Sequence, residues 1–147
     1  MKIRIAQRDD LTTLVAFNLA MANETEALIL DKSILTQGVA TVLAEPEKGH
    51  YLVAEVDQQV VASLMVTYEW SDWRAKNYYW IQSVYVQPEY RRQGIYRQLY
   101  QAVKQQAQAA GGAASFRLYV EQDNVQAQKT YQTLGMTPSD YLLYEEK

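Results

Sequence analysis

The sequence predicts a three-layer α/β/α domain around a mixed, mostly antiparallel central sheet of six or seven strands. Three observations support that class. Apolar positions alternate in some segments and recur at helical spacing in others, in the order βααβββαβαβ. This order mixes strand runs with helical crossovers, which calls for helices on both faces of one sheet. No repeat, linker or low-complexity run interrupts the 147 residues, a length suited to one ordinary domain spanning residues 1–147.

Lys2 to Gln7 alternates, with Ile3 and Ile5 on one face, and reads as a first strand. Asp9 or Asp10 can cap the helix that follows, whose apolar positions are Leu11, Leu14, Val15, Leu19 and Ala22. Asn23-Glu24-Thr25-Glu26 then reads as a polar loop. A second helix runs from Ser33 to Ala44 with Pro46 closing it, although Gly38 weakens its interior. Tyr51 to Val56 and Val60 to Trp70 form an antiparallel hairpin about Asp57-Gln58-Gln59, a turn without glycine. Tyr78 to Val86 is rich in aromatic and β-branched residues, as central strands tend to be. From Gly94 or Ile95 to Ala110 the pattern is helical, and Gly111-Gly112 ends it. Ser115 to Val120 is a buried strand. Asp123-Asn124 starts a last helix with Ala127, Tyr131 and Leu134 on one face, stopping at Gly135; Tyr141 to Tyr144 is a final short strand.

Composition removes several classes of function. With 14 basic and 17 acidic side chains, the net charge of −3 argues against a general nucleic-acid binder. There is no cysteine, so disulfides, thiol nucleophiles and thiolate metal sites are excluded. One histidine, His50, reads as a loop residue without chemistry and cannot build a typical zinc site, so no metal is expected. The N-terminus lacks a secretory pattern, and no apolar run approaches the ~20 residues that span a bilayer. A cytoplasmic protein without membrane contact is the expectation.

Chemistry is concentrated at Val84 to Gln98, where an apolar strand runs into Pro88, then a basic turn, then Gly94 at the start of an amphipathic helix. Backbone N–H groups at a helix start have no intrahelical partner, and the macrodipole makes that end partly positive. Flanked by Arg91, Arg92 and Arg97, such a turn suits a phosphate or pyrophosphate, and Gly94 lets it approach the backbone closely. Neither G-x-x-x-x-G-K-[ST] nor G-x-G-x-x-G is present.

The run V-x-P-x-Y-R-R-Q-G-I resembles the central motif of the GNAT superfamily of acyl-CoA-dependent N-acetyltransferases, written Q/R-x-x-G-x-G/A. Here it reads Arg91-Arg92-Gln93-Gly94-Ile95-Tyr96, with Tyr96 where a small residue is usual. A second segment of the family, N-x-x-A-x-x-x-Y-x-x-x-G-F, is matched by Asn124, Ala127, Tyr131, Gly135 and Met136. The resemblance spans essentially the whole chain and implies a GNAT-like acyl-CoA N-acyltransferase fold.

Carried over residue by residue, the resemblance implies acetyl-CoA as co-substrate. Backbone groups of Val84, Tyr85 and Val86 would pair with the pantetheine arm as another strand would. Amides from Arg92 through Arg97, including Gln93, Gly94, Ile95 and Tyr96, would hold the pyrophosphate, with the arginines adding charge-assisted bonds. Asn124 would hydrogen-bond the cofactor, and Tyr131 would donate a proton to the leaving sulfur. The reaction implied is direct attack by a primary amine of a small-molecule or peptide acceptor within a ternary complex. An amine of pKa about 10.4 must first lose a proton. Many family members place a glutamate on the fourth strand for this, where Gln82 or Ser83 stands here. Glu69 is the favoured substitute, with Glu24 and Glu26 as others. If these and Asp72 line the cleft, a cationic acceptor is expected. Trp70, Trp73, Tyr79 and Trp80 are expected to pack the sheet or the partner of a homodimer, with stacking on an acceptor as the other use. A non-catalytic CoA-binding sensor or interaction module is the alternative, supported by the missing strand carboxylate.

Overall fold

Five strands form a single sheet in the computed structural model, which describes residues 1–147. They are β1 (Lys2–Ile5), β2 (Gly49–Val56), β3 (Gln59–Ser71), β4 (Lys76–Val86) and β5 (Phe116–Leu118), in that spatial order. The first four pair antiparallel, and β4 with β5 is parallel. The helices are α1 (Leu11–Glu26), α2 (Lys32–Ala44), α3 (Ile95–Ala109) and α4 (Val125–Thr133).

Alternation along the strands separates two cores. Leu52, Ala54, Leu64, Val66, Tyr79 and Ile81 meet Ile95, Leu99 and Val103 of α3 on one face, where Leu134 and Met136 after α4 also pack. Val53 and Tyr51 meet Leu14 and Val15 of α1 and Val39 of α2 on the other. The expected α/β/α layering follows from these two apolar faces. Connections at tight places have clear causes. Asp57 (φ +51) and Gln58 (φ +65) make the two-residue β2–β3 turn with both centres left-handed, the geometry that matches strand twist. Gly49 (φ +150) passes so close to β3 that a Cβ would lie 2.1 Å from the Val66 carbonyl oxygen.

The sheet has five strands where six or seven were expected. Tyr141–Tyr144 pairs with nothing, and its four side chains are exposed. A strand exists only through a partner, and β5, next along the sheet, is itself short: it covers Phe116–Leu118 rather than Ser115–Val120. Its pairing ends at Ile81↔Leu118, two residues before the irregularity that bends β4. Asn23–Glu26 is the last turn of α1, not a loop; Ala27, left-handed at φ +52, stops the helix there. Asp10 stands at the start of α1 without capping it. Its carboxylate instead takes the Gln7 N–H and a bidentate pair of bonds from Arg4, which also bonds Glu55. His50 lies in β2 rather than a loop, with Nδ1 2.9 Å from the Tyr68 hydroxyl and Nε2 2.9 Å from Gln106 Oε1. An amide oxygen only accepts, so Nε2 carries the proton and Nδ1 accepts from Tyr68.

Candidate active site

The basic turn is held open as an array of donors. A 3-10 turn over Pro88–Tyr90 ends β4, after which Arg92 (φ +63) and Gly94 (φ +76) are both left-handed. Such alternation curls the chain so that successive N–H groups converge on one concavity. The first bond back into α3 is Gln98 N–H to the Gly94 carbonyl at 3.2 Å, and the N–H groups of Arg92 through Arg97 donate to no backbone carbonyl. A cavity of about 330 Å³ opens against them, lined by Gly94, Ile95, Tyr96 and Arg97 and closed by Thr130 and Thr133 of α4. A Cβ at Gly94 would meet no protein atom within 4 Å.

The three arginines divide in role. Arg92 and Arg97 are exposed and make no ion pair. Arg91 is committed elsewhere: Nε donates to the Val86 carbonyl at 2.8 Å and Nη2 to Glu24 at 2.7 Å, with the guanidinium 5.5 Å from the Tyr85 ring centroid. The Tyr85 hydroxyl donates to the same carboxylate at 3.2 Å. Glu24 therefore ties the end of α1 to the end of β4, and Arg91 locks the turn. Tyr96, the departure from a small residue, directs its ring into the α3 layer, with centroids 6.3 Å from Tyr100 and 5.9 Å from Tyr131. Its hydroxyl is buried without a partner.

Between the turn and the other face lies a split. β4 and β5 pair only at Tyr79↔Phe116, Trp80↔Arg117 and Ile81↔Leu118. Beyond Ile81, β4 is displaced by an irregularity at Ser83 (φ +53), opposite the register shift between Ser63 and Met65. Backbone of Val84, Tyr85 and Val86 thus has β3 on one side and no strand on the other, although the Val86 carbonyl already accepts from Arg91. Tyr131 stands on the α3 side of this split, half-buried, and desolvation raises its pKa above the usual phenol value. It is a protonated donor at neutral pH. Asn124 spends Oδ1 on the Ala127 N–H at 3.1 Å as the cap of α4, leaving its NH₂ to donate outward.

On the opposite face the split is walled by polar and aromatic side chains. Gln82 Nε2 donates to Thr67 Oγ1 at 2.7 Å. Glu69 Oε1 accepts from Trp80 Nε1 at 2.9 Å and from Arg117 Nη1 at 3.3 Å, and Oε2 has no partner. Trp80 stacks on Tyr119 with centroids 4.5 Å apart. Glu26 faces Glu121 in the β5–α4 connection, and that contact raises the Glu121 pKa. The two candidate catalytic groups, Tyr131 and Glu69, are therefore on opposite faces of the sheet. Trp73 is almost wholly exposed and Trp70 largely so, whereas Tyr79 is buried in the core. Arg117 was not anticipated from sequence; the available signal was a lone cation between Phe116 and Leu118, at the position a strand turns away from the α3 core.

A donor-lined turn, a bulged strand and an open parallel pair make up the candidate site. A sequence model of the acetyltransferase (GNAT) family matches residues 16–136, and the chain belongs to that family of acyl-transfer enzymes. A crystal structure described as "a possible acetyltransferase from Clostridium difficile 630" superposes with a TM-score of 0.94 at 46% identity, over 99% of this chain and 96% of that one. A predicted acetyltransferase with acetyl-CoA from Clostridium acetobutylicum shares the fold, with a TM-score of 0.81 at 17% identity over 99% and 95% of the two chains. Among curated proteins, the thialysine N-epsilon-acetyltransferase of Sus scrofa is 38% identical over 96 residues, which are 58% of this chain and 54% of that protein. This chain thus aligns with about half the length of that relative.

Proposed function

We propose that the protein transfers an acetyl group from acetyl-CoA to a primary amine of a small-molecule or peptide acceptor, by direct attack in a ternary complex. The observation that carries this reading is the run of six N–H groups from Arg92 through Arg97 without a backbone partner, in a turn whose Arg92, Gly94, Ile95, Tyr96 and Arg97 line the cavity. An anion fits there because the donors, the positive end of α3 and the free Arg92 and Arg97 converge on it. Bound acetyl-CoA supplies an activated thioester. The chain would do the rest. The turn holds the pyrophosphate, the unpaired edge of β4 aligns the pantetheine arm, and the bulge at Ser83 opens the way to the acceptor face. Asn124 would add a bond through its NH₂ group.

Protons move at two places in this reading. The acceptor ammonium gives one up before attack; Glu69, with Oε2 unpartnered, receives it through water. The amine nitrogen then bonds the acetyl carbon, the C–S bond breaks, Tyr131 protonates the departing sulfur, and the nitrogen's second proton passes through water to restore the Tyr131 phenol. CoA leaves as the thiol and one proton reaches solvent, which balances the reaction. A second copy of the chain is a proposed partner, supported by the exposed Tyr141, Leu142, Leu143 and Tyr144 beside the short β5 edge. A cytoplasmic location is part of the proposal; no helix is long and apolar enough to cross a membrane.

Tyr131→Phe separates this reading from a CoA-binding module. Ring and packing persist, so acetyl-CoA affinity and folding should survive. A bond to a developing thiolate strengthens in the transition state, so kcat should fall, by about 10²-fold, with KM little changed. The assay is free-thiol release with an amine panel, to which the chain, having no cysteine, adds no thiol of its own. An undiminished kcat would remove the general acid. Tight acetyl-CoA binding with no acceptor turned over by the parent would favour the module.

A further inference from the structure

Arg91 covers the edge of β4 that the acyl-transfer reading leaves for the pantetheine arm. Gln87 N–H donates to the Val61 carbonyl at 2.9 Å. Bonded and non-bonded pairs alternate along an antiparallel ladder, so at the neighbouring pair, Ala62↔Val86, the backbone groups of Val86 point away from β3 and toward the open edge. The Val86 carbonyl on that edge is filled by Arg91 Nε at 2.8 Å. The guanidinium is held there from the α1 side. Nη2 donates to Glu24 at 2.7 Å, the guanidinium carbon lies 5.5 Å from the Tyr85 ring centroid, and the Tyr85 hydroxyl donates to the same carboxylate at 3.2 Å. Arg91 also lines the cavity at the turn, so one side chain borders both Glu24 and the donor array. The hold is weak: the paired side chains are 43% and 39% exposed, and water screens an ion pair of that kind.

We propose that Arg91 is a plug on the open edge of β4 that acyl-CoA displaces, with Glu24 as the catch that holds it. The proposal rests on the acyl-transfer reading above. Two contacts exchange together. The pyrophosphate carries more charge than a carboxylate and offers oxygens for the guanidinium fork, so it draws Arg91 away from Glu24. As Nε leaves, the Val86 carbonyl is uncovered, and a pantetheine amide N–H bonds it as the N–H of a neighbouring strand would. The nucleotide end of the cofactor thus frees the edge that its other end needs. Glu24 is a positioning residue in this account, acting on the cofactor only through Arg91. The sign of its effect is distinctive. A catch opposes binding, whereas a residue that merely steadied the turn would favour it.

The test is a double-mutant cycle read by calorimetry of acetyl-CoA. Glu24→Gln removes the charge and keeps the shape, and it should bind acetyl-CoA about two- to fivefold more tightly than the parent, the range expected of a part-exposed ion pair. In an Arg91→Gln background the same change at Glu24 should have no effect. Weaker or unchanged binding by Glu24→Gln, or an equal gain with and without Arg91, would overturn the catch. A crystal structure of the acetyl-CoA complex reads the plug itself: Arg91 Nε should lie beyond hydrogen-bond reach of the Val86 carbonyl, and a bond still in place would overturn the displacement. Should the parent bind inorganic pyrophosphate and not acetyl-CoA, the acyl-CoA reading fails on its own, and the same cycle run on pyrophosphate decides the catch. Tightening that depends on Arg91 supports it; no change overturns it. A parent that binds neither overturns both.

Discussion

Tyr96 shows how one side chain can satisfy a fold and still be poorly placed. Its ring fills the layer between Tyr100 and Tyr131, but its hydroxyl is buried with no partner, and burial raises its pKa far above the phenol range. An unmet buried hydroxyl costs about 1–3 kcal/mol, whereas the ring contributes its full apolar area. Tyr96→Phe should therefore stabilise the protein by about 1 kcal/mol, read as a raised denaturant midpoint at constant m. A lowered midpoint would mean that the hydroxyl has a partner. The residue pattern shows that position 96 departs from a small residue, but not which way the ring turns. That direction is set by Tyr100 and Tyr131, the second of them 35 positions away in sequence. The same limit applies to Arg91: its proximity to Gly94 is visible in the sequence, its ion pair with Glu24 is not.

Elements with their own punctuation were legible and those relying on a distant partner were not. Pro88 and Gly94 mark the end of β4 and the start of α3, and the turn between them lies where the motif puts it. The β2–β3 turn was also legible without glycine, because Asp57-Gln58-Gln59 is the polar break between two apolar runs; the structure narrows it to Asp57 and Gln58, with Gln59 opening β3. β5 was overextended because Ser115 to Val120 has strand composition, while its length depends on where β4 bends away. Tyr141–Tyr144 has strand composition too, and lacks a neighbour. If that segment finds its partner in a second copy, sedimentation velocity should show a concentration-dependent dimer that a chain ending at Asp140 cannot form. Monomer at all concentrations in the intact chain would remove the dimer.

Across the whole molecule, two groups link stability to pH in the same direction. His50 is held neutral because burial lowers its pKa, outweighing its bond to Gln106. It therefore contributes stability above the unfolded value of about 6.5, which is lost as pH falls through the lower folded value. Asp10 is held low by its bonds from Arg4, despite desolvation, so its contribution is present above about 3.9 and lost at still lower pH. Melting temperature should fall in two stages on acidification. His50→Gln should flatten the first stage and leave the second; an unchanged first stage would exonerate His50.

The layered fold, the cavity and the split all converge on the turn at Gly94, and one titration tests it. In Gly94→Val a branched side chain enters the space beside the N–H array while touching no protein atom within 4 Å at Cβ, so the core is spared and the cost to folding is the left-handed backbone alone. Isothermal calorimetry of acetyl-CoA should show the parent binding and the folded variant weakened at least a hundredfold. Unchanged affinity in a folded Gly94→Val protein would contradict the placement of the pyrophosphate at Arg92–Arg97, and with it the reading of this site.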